Sequence, residues 1–564
     1  LRGQPARAET YYREGIDVTE RYRESLRLTE WSAIAFGELN DPHRGLVRAL
    51  LAQNRMEDAF LALEQTRARH LQDLLMQSQL LTELSPAERF HFDSLTTALV
   101  EARNRLTSDT LSADMRIRWQ SKSYQLVAER AGVLDLDDAF ETPSLDRLRQ
   151  RLEKEGQVVL SYFIDAQTVS DALYGRSLQS YVFVLTPDTL AVALLEVSDP
   201  DLQALLTEVS PLLTKPTTAP DFDARRFSLK ALHELYERLY SPVAPLIPED
   251  ARLIVIPDGP LFMLPFGMLV EAETEPFQYH KAPFLLKKHP SSVELATALL
   301  LRHHEPPAAP VYDVVAFGKT DFSDVEKPSA FRSGNADADS LINLPAIAEE
   351  INMIRSRFRK ALIRLDLRAT EASFFELAAE AKILHIASHT LLRPSSPLHN
   401  AIVLSTDATE DGYDGLLYFH EIQRKQLVAQ LVVLSGCSTA QGVLRPGEGM
   451  AGLQYAFRAM GVQSSLATSW FVDDNTTVLL MEAFYRNLQR GLPKDEALQQ
   501  AQLSLLEDGK TSSANPFLWA APVLYGDTAP LALEGRPPLW LLWVALPLLL
   551  LFVLYLRHRS IRKR

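Results

Sequence analysis

From Arg7 to about Gly132, apolar positions recur at helical spacing through stretches rich in Leu, Ala, Glu, Arg and Gln. Gly and Pro are confined to the breaks, so residues 1–134 are predicted to be an all-α region. Leu46, Ala49 and Leu50 form one apolar face, and Met56, Ala59 and Leu63 begin a facing helix. Asn54 stands between them, at a position where it tolerates the left-handed conformation. Phe92, Leu95, Leu99 and Leu106 are spaced to meet a further partner helix. The pattern changes near Ser144. Helix Leu145 to Lys154 leads into strand-like runs at Val158 to Phe163, Tyr181 to Leu185 and Leu190 to Leu195. Later runs, Leu253 to Ile256, Val314 to Phe317, Ile383 to Ala387, Leu431 to Leu434 and Ser465 to Ala467, alternate with helical stretches. Such alternation predicts an α/β fold with a mostly parallel, doubly wound sheet. The polar stretch from Asp321 to Asn343 reads as an exposed loop.

The last apolar run differs from the rest. Leu539 to Leu556 carries no charge, has Trp540, Trp543 and Tyr555 near its ends, and is followed by Arg557, Arg559, Arg562, Lys563 and Arg564. A buried terminal helix would not end so, and a single membrane-spanning anchor with a basic tail at 557–564 is expected. The positive-inside tendency keeps that tail in the cytoplasm and places residues 1–536 on the non-cytoplasmic, periplasmic face. That orientation needs an upstream export signal, and a chain beginning at Leu1 reads as a processed form or a fragment.

At 564 residues the chain is too long for one core. Its 58 basic and 72 acidic residues give a net charge of −14, which argues against the basic stripe of a nucleic-acid binder. One cysteine, Cys437, excludes an internal disulfide framework and a cysteine metal cluster. No metal and no cofactor are expected.

Parallel sheets gather functional groups at the carboxyl ends of their strands. The run ending at Ala387 delivers His389 and the run ending at Leu434 delivers Cys437. A helical crossover, including Leu417 to Arg424, would make the two strands neighbours. A Cys-His pair attacks carbonyls as thiolate, with the imidazole raising the thiolate population and protonating the leaving group. On chemistry alone a small core cysteine and a structural histidine are the commoner reading.

The wording around these residues adds a resemblance. Ile383-Leu384-His385-Ile386-Ala387-Ser388-His389, Val433-Leu434-Ser435-Gly436-Cys437-Ser438-Thr439, Gly447-Glu448-Gly449 with Gly452-Leu453, and Trp470-Phe471-Val472-Asp473-Asp474 resemble the ordered motifs of the CHAT family of caspase-like cysteine peptidases, related to separase and the caspases. Pro257-Asp258-Gly259-Pro260 with Leu264-Pro265-Phe266, Ala316-Phe317-Gly318 and Ala369-Thr370-Glu371-Ala372 are similar to its upstream half. The resemblance covers residues 145–526. It implies a caspase-like sheet, a degenerate first half (145–300), a second half (310–526) carrying the dyad, and a preceding tetratricopeptide-like region. The 46–63 helix pair resembles one such repeat, with Val47 and Asn54 where the repeat favours Gly. The resemblance further implies Cys437 as nucleophile, His389 as its catalytic partner, and an oxyanion hole from backbone N–H groups near Cys437 and at Thr390. Related sequences carry Gly at the position of Thr390, and a β-branched residue disfavours positive φ. The implied activity is an endopeptidase cleaving a protein partner at the membrane, with a substrate or regulatory protein held by the helical region. The competing implication is a silent scaffold for protein–protein interaction.

Three motifs have other readings. His385 and His389 share the spacing of a helical zinc pair, but on a strand they lie about 13 Å apart and lack the intervening Glu, so His385 is expected to be a buried, hydrogen-bonded strand residue. Gly447, Gly449 and Gly452 spell a dinucleotide pattern too far from its strand, and are expected to allow a tight loop before helix Met450 to Met460, with Glu448 near that helix's N-terminus. Asp473 and Asp474 serve either as a pocket for a basic residue before the scissile bond or as caps for the helical run Thr476 to Leu488.

Overall fold

The computed structural model describes residues 3–26, 41–80, 84–107, 112–133, 143–165, 179–214, 226–302, 309–323, 341, 343–391, 400–406, 413–422, 427–436, 439–440, 442–470, 474–507 and 514–534. Cys437, Asp473, most of the polar loop 321–343, the predicted anchor 539–556 and the tail 557–564 lie outside them. Among the described residues no helix is long and apolar enough to cross a membrane.

The N-terminal region is helical, as its periodicity requires: α1 (Pro5–Leu26), α2 (Asp41–Leu51), α3 (Met56–Glu64), α4 (Arg69–Leu80), α5 (Pro86–Thr107) and α6 (Ala113–Ala131). Asn54 takes φ 58° in the α2–α3 turn, the left-handed conformation expected there. Helices α5 and α6 pair through Leu95, Leu99, Ala102, Leu126 and Val127, a small core of their own.

Helix α7 (Leu145–Glu155) is capped by the Ser144 side chain at its start and by left-handed Gly156 at its end. It leads into an eleven-stranded sheet built from β1 (Gln157–Phe163), β2 (Ser180–Leu185), β3 (Leu190–Leu195), β4 (Arg252–Ile256), β5 (Ser291–Val293), β6 (Tyr312–Gly318), β7 (Ala361–Leu365), β8 (Ala381–Ala387), β12 (Leu431–Leu434), β15 (Ser464–Thr468) and β16 (Pro522–Gly526). Their order is β3-β2-β1-β4-β5-β16-β15-β12-β8-β6-β7. Only β1–β2, β2–β3 and β15–β16 pair antiparallel. The sheet is therefore mostly parallel, as the alternation of runs predicts.

Successive strand residues alternate between two cores. Val314 and Ala316, and Leu431 and Val433, face one layer; Val315 and Phe317, and Val432 and Leu434, face the other. Burial on both faces is why these runs read as continuously apolar. The helical region forms part of this packing. Leu46, Val47, Leu50, Phe60 and Leu63 close a core with Val159, Phe163 and Ile254, and Leu71, Leu74 and Leu75 of α4 join the layer over β8 and β12.

Two connections depart from expectation. Between β8 and β12 the chain forms β9 (Thr390–Leu391), β10 (Ala401–Val403) and β11 (Leu416–Tyr418), followed by the short helix Phe419–Ile422. Leu417 thus lies in a strand rather than a crossover helix, because Leu416–Tyr418 pairs with β10 and buries all three side chains. Residues 450–451 belong to β14 (Gly449–Ala451), paired with β13 (Val443–Arg445), and the predicted helix starts only at Leu453.

Candidate active site

Strands β8 and β12 are parallel neighbours, with Leu431 opposite Ile383 and Leu434 opposite Ile386. The turns after them, starting at Ser388 and Ser435, are therefore side by side. Ser435 N–H donates to the Ile386 carbonyl at 2.8 Å. A Cβ on Gly436 would lie 2.4 Å from the Ser388 carbonyl oxygen and 3.6 Å from Thr390 Cγ2. The backbone before Cys437 thus touches the residues on both sides of His389. Cys437 itself lies outside the described residues. Only glycine fits at 436, so Gly436→Ala should displace the loop and cost about 1–3 kcal/mol. A lowered thermal midpoint together with slower thiol alkylation of Cys437 checks this.

His389 is half-buried, its ring edge-on to Phe322 at 4.5 Å between centroids. Lys319, buried at the end of β6, places its Nζ 5.6 Å from the Phe322 ring and donates to Ser405 Oγ at 3.1 Å. Ser388 Oγ donates to the Val403 carbonyl. Val403 N–H in turn donates to the His389 carbonyl at 2.9 Å, so the histidine turn is pinned to β10 from both sides.

Thr390 sits in β9, in extended conformation, opposite Ile402. The flanking bond from Val403 makes this a non-hydrogen-bonded pair, which directs the Thr390 N–H away from β10. The positive φ that would conflict with a β-branched side chain does not arise. The steric objection to Thr390 therefore falls.

A buried polar cluster lies beneath the site. His385 is fully buried in β8, as expected, with Nδ1 2.8 Å from Tyr485 Oη and Nε2 3.4 Å from Glu350 Oε1. Ser435 Oγ donates to both Glu350 oxygens, at 2.8 and 2.9 Å. A neutral ring accepting from Tyr485 at Nδ1 accounts for the hydrogen bond, while Nε2 lies beside Glu350 without bonding to it. Burial pushes the His385 pKa down to about 3. An unfolded histidine binds a proton near pH 6.5, so stability from this residue is present above that pH and is lost as pH falls toward 3, by up to about 1.4 kcal/mol per pH unit. Denaturant unfolding of wild type and His385→Asn between pH 4 and 7 should show a shallower acid limb in the variant, the remainder coming from other buried histidines such as His70.

Glu350, Tyr485, Lys319 and Phe322 were not singled out by the motifs. The one available signal was Glu350, an acidic residue in the apolar stripe formed by Ile347, Ile351 and Ile354. Among the described residues no group of three His, Cys, Asp or Glu side chains could hold a metal ion. Asp474 is the first residue of helix Asp474–Gln489, and Asp473 lies outside the described residues.

Glu448 corrects an expectation. Gly447 and Gly449 take φ 77° and 81°, the tight loop predicted for them. Glu448, however, serves α4 rather than helix Leu453–Ala459. Its Oε1 accepts from the His70 N–H at 2.8 Å, and its Oε2 accepts from Tyr455 Oη at 3.0 Å. The Leu71 N–H is a further donor to this carboxylate. The helix it caps belongs to the N-terminal region.

Comparison with known proteins agrees with this architecture. The model for the CHAT domain matches residues 229–527, just over half of the chain. The human Tetratricopeptide repeat protein 28 is 24% identical over 337 residues, 53% of this chain, and the chain spans only 13% of that protein's length. Among solved structures, the Saccharomyces cerevisiae separase–securin complex aligns with 92% of this chain and 48% of that chain at 9% identity and a TM-score of 0.39. The Arg specific cysteine proteinase gingipain R aligns with 59% of this chain and 76% of that chain at 10% identity and a TM-score of 0.31. Structural similarity at that level is too loose to transfer residue roles. The family match does not depend on it: this chain belongs to the CHAT-domain family.

Proposed function

We propose that the protein is a cysteine endopeptidase in which Cys437 attacks the scissile carbonyl and His389 accepts the thiol proton and returns it to the leaving amine. The observation that supports this most directly is the contact of Gly436 with the Ser388 carbonyl, because it sets the cysteine-bearing and histidine-bearing turns against each other at the carboxyl ends of adjacent parallel strands. In this reading the Thr390 N–H and the backbone N–H at Cys437 stabilise the tetrahedral oxyanion, and Asp473 and Asp474 receive a basic side chain before the scissile bond. The helical region holds a protein substrate or regulator, and residues 539–556 anchor the chain in a membrane with the catalytic body on the non-cytoplasmic face.

The test is mass-spectrometric detection of cleavage in a denatured-protein peptide library, using wild type and Cys437→Ala. Cleavage that is lost in the variant and clusters after Arg or Lys supports the reading. Identical digests from both proteins, with Cys437 alkylation indifferent to His389, would instead favour a silent scaffold.

A further inference from the structure

Helix α4 begins at Arg69, preceded by Ala68, which has no side chain able to cap it. Ala68 is fully buried at φ 48°, and its N–H donates to the Gly447 carbonyl at 2.6 Å. The N–H groups of the second and third helical residues, His70 and Leu71, are satisfied by Glu448. A side-chain cap usually comes from the residue before the helix. Here it comes from the far end of the chain, in the loop between β13 and β14.

That loop is fixed on its other sides as well. A Cβ on Gly449 would lie 2.8 Å from Leu295 Cδ2 and 2.9 Å from the Phe262 ring, so the loop is wedged against the first half of the sheet. The first turn of helix Leu453–Ala459 carries the remaining links. Tyr455 donates to Glu448, while neighbouring Gln454 donates to the Met450 carbonyl at 3.1 Å and to the Ala440 carbonyl at 3.2 Å. Ala440 lies three residues after Cys437, and its N–H donates to the Thr468 carbonyl at 2.9 Å. An unbroken set of contacts thus runs from the start of α4, through Glu448, Tyr455 and Gln454, to the chain leaving Cys437.

We propose that Glu448 is a positioning residue, which ties the N-terminus of α4 to the loop carrying Cys437 so that displacement of the helical region alters the nucleophile. The proposal deepens the peptidase reading and rests on Cys437 being its nucleophile. It also assigns the helical region a regulatory contact on this site. The groups facing Glu448 are the His70 and Leu71 N–H donors and the Asp73 carboxylate from α4, and the Tyr455 hydroxyl from helix Leu453–Ala459. Arg445 of β13 acts on His70 and Tyr455. Burial raises the Glu448 pKa to about 7, so the ionised cap gives way to the neutral, weaker acceptor as pH falls below neutrality.

The experiment uses the full chain with Glu448→Ala, Glu448→Gln and, separately, His389→Ala. Two quantities are read from pH 6 to 8: hydrogen-exchange protection of the amides at 69–72, corrected for intrinsic rates, and the alkylation rate of Cys437. Glu448→Ala should lower protection at least tenfold and slow alkylation at least fivefold. Glu448→Gln, which keeps an acceptor oxygen, should restore most of both but lose the inflection of protection near pH 7. Loss of protection with alkylation unchanged or faster overturns the proposal, as does unchanged protection. If Glu448→Ala does not fold, Glu448→Gln decides alone: an inflection retained near pH 7 overturns the proposal. Alkylation of the wild type that is indifferent to His389 sinks the dyad instead, and leaves the Glu448 comparison standing on its own.

Discussion

At pH 6.5, alkylation of Cys437 should slow about a hundredfold when His389 is replaced by alanine. A free thiol with a pKa near 8.5 is only about 1% thiolate at that pH, whereas one paired with an imidazolium is largely ionised. In the peptidase reading the pairing would come from the two neighbouring turns. The β8 and β12 turns touch at Gly436 and Ser388, and the histidine turn is pinned by Ser388 and Val403. The measurement is clean because Cys437 is the only cysteine in the sequence. Rate against pH should give a plateau reaching below pH 7 in wild type and a single rise near pH 8.5 in the variant. Matching profiles would remove the dyad and leave the fold without its proposed chemistry.

The largest loss of stability is expected away from this dyad, at Arg67. Its guanidinium is buried between α3 and α4, with Nη1 3.4 Å from the Ile256 carbonyl and 3.3 Å from the Pro257 carbonyl, and Nη2 donating to the Tyr162 carbonyl. Its Nε lies 3.5 Å from Glu64, whose carboxylate is fully buried and accepts from the Thr297 N–H and hydroxyl, each at 2.6 Å. Desolvation is the main influence on this guanidinium and lowers its pKa from the usual value. A buried pair like this contributes little net stability when intact, but removing one partner strands the other. Arg67→Ala leaves an uncompensated carboxylate and three carbonyls at the ends of β1 and β4, and should cost about 3–5 kcal/mol. Urea unfolding with an unchanged m-value is the check. Arg118→Ala, which breaks the exposed Arg118–Asp114 pair, is the comparison and should fall within error of wild type. A loss no greater than that of Arg118→Ala would mean that the turn between α3 and α4 is not held as described.

Both predictions concern the carboxyl ends of parallel strands, and the two regions differed in how far they could be read. His389 and Cys437 follow continuous apolar runs whose strand character and edges are local properties, so the adjacency of β8 and β12, the strands before them, was open to a topological argument. Arg67, Glu64 and Glu448 gave no such signal. Arg67 and Glu64 sit among Gln65, Thr66 and Arg69, where charged residues usually mark a solvated turn. Their burial is decided by carbonyls and hydroxyls contributed by Tyr162, Ile256 and Thr297, distant in the chain. The same limit explains Glu448: local spacing pointed to the helix that follows it, while its actual donors, at 70 and 71, come from the opposite end of the protein.

The corrected connection between β8 and β12 has a related cause. Leu416–Tyr418 is short and apolar, and such a run has no periodicity to separate strand from helix. Pairing with β10 decided it. Thr390 shows the reverse case: the family resemblance, with Gly at this position, raised a steric objection that the extended backbone of β9 removes.

The helical start, the mostly parallel sheet and the family were legible in the chain alone, because each rests on periodicities and motifs within a short span. Long-range contacts alone settled that the helical region is built into the sheet's own cores, that buried Glu350 accepts from Ser435 beside His385, and that Glu448 caps α4. These depend on partners far apart in sequence, and a buried carboxylate has the same letter as a solvated one until its hydrogen-bond donors are known.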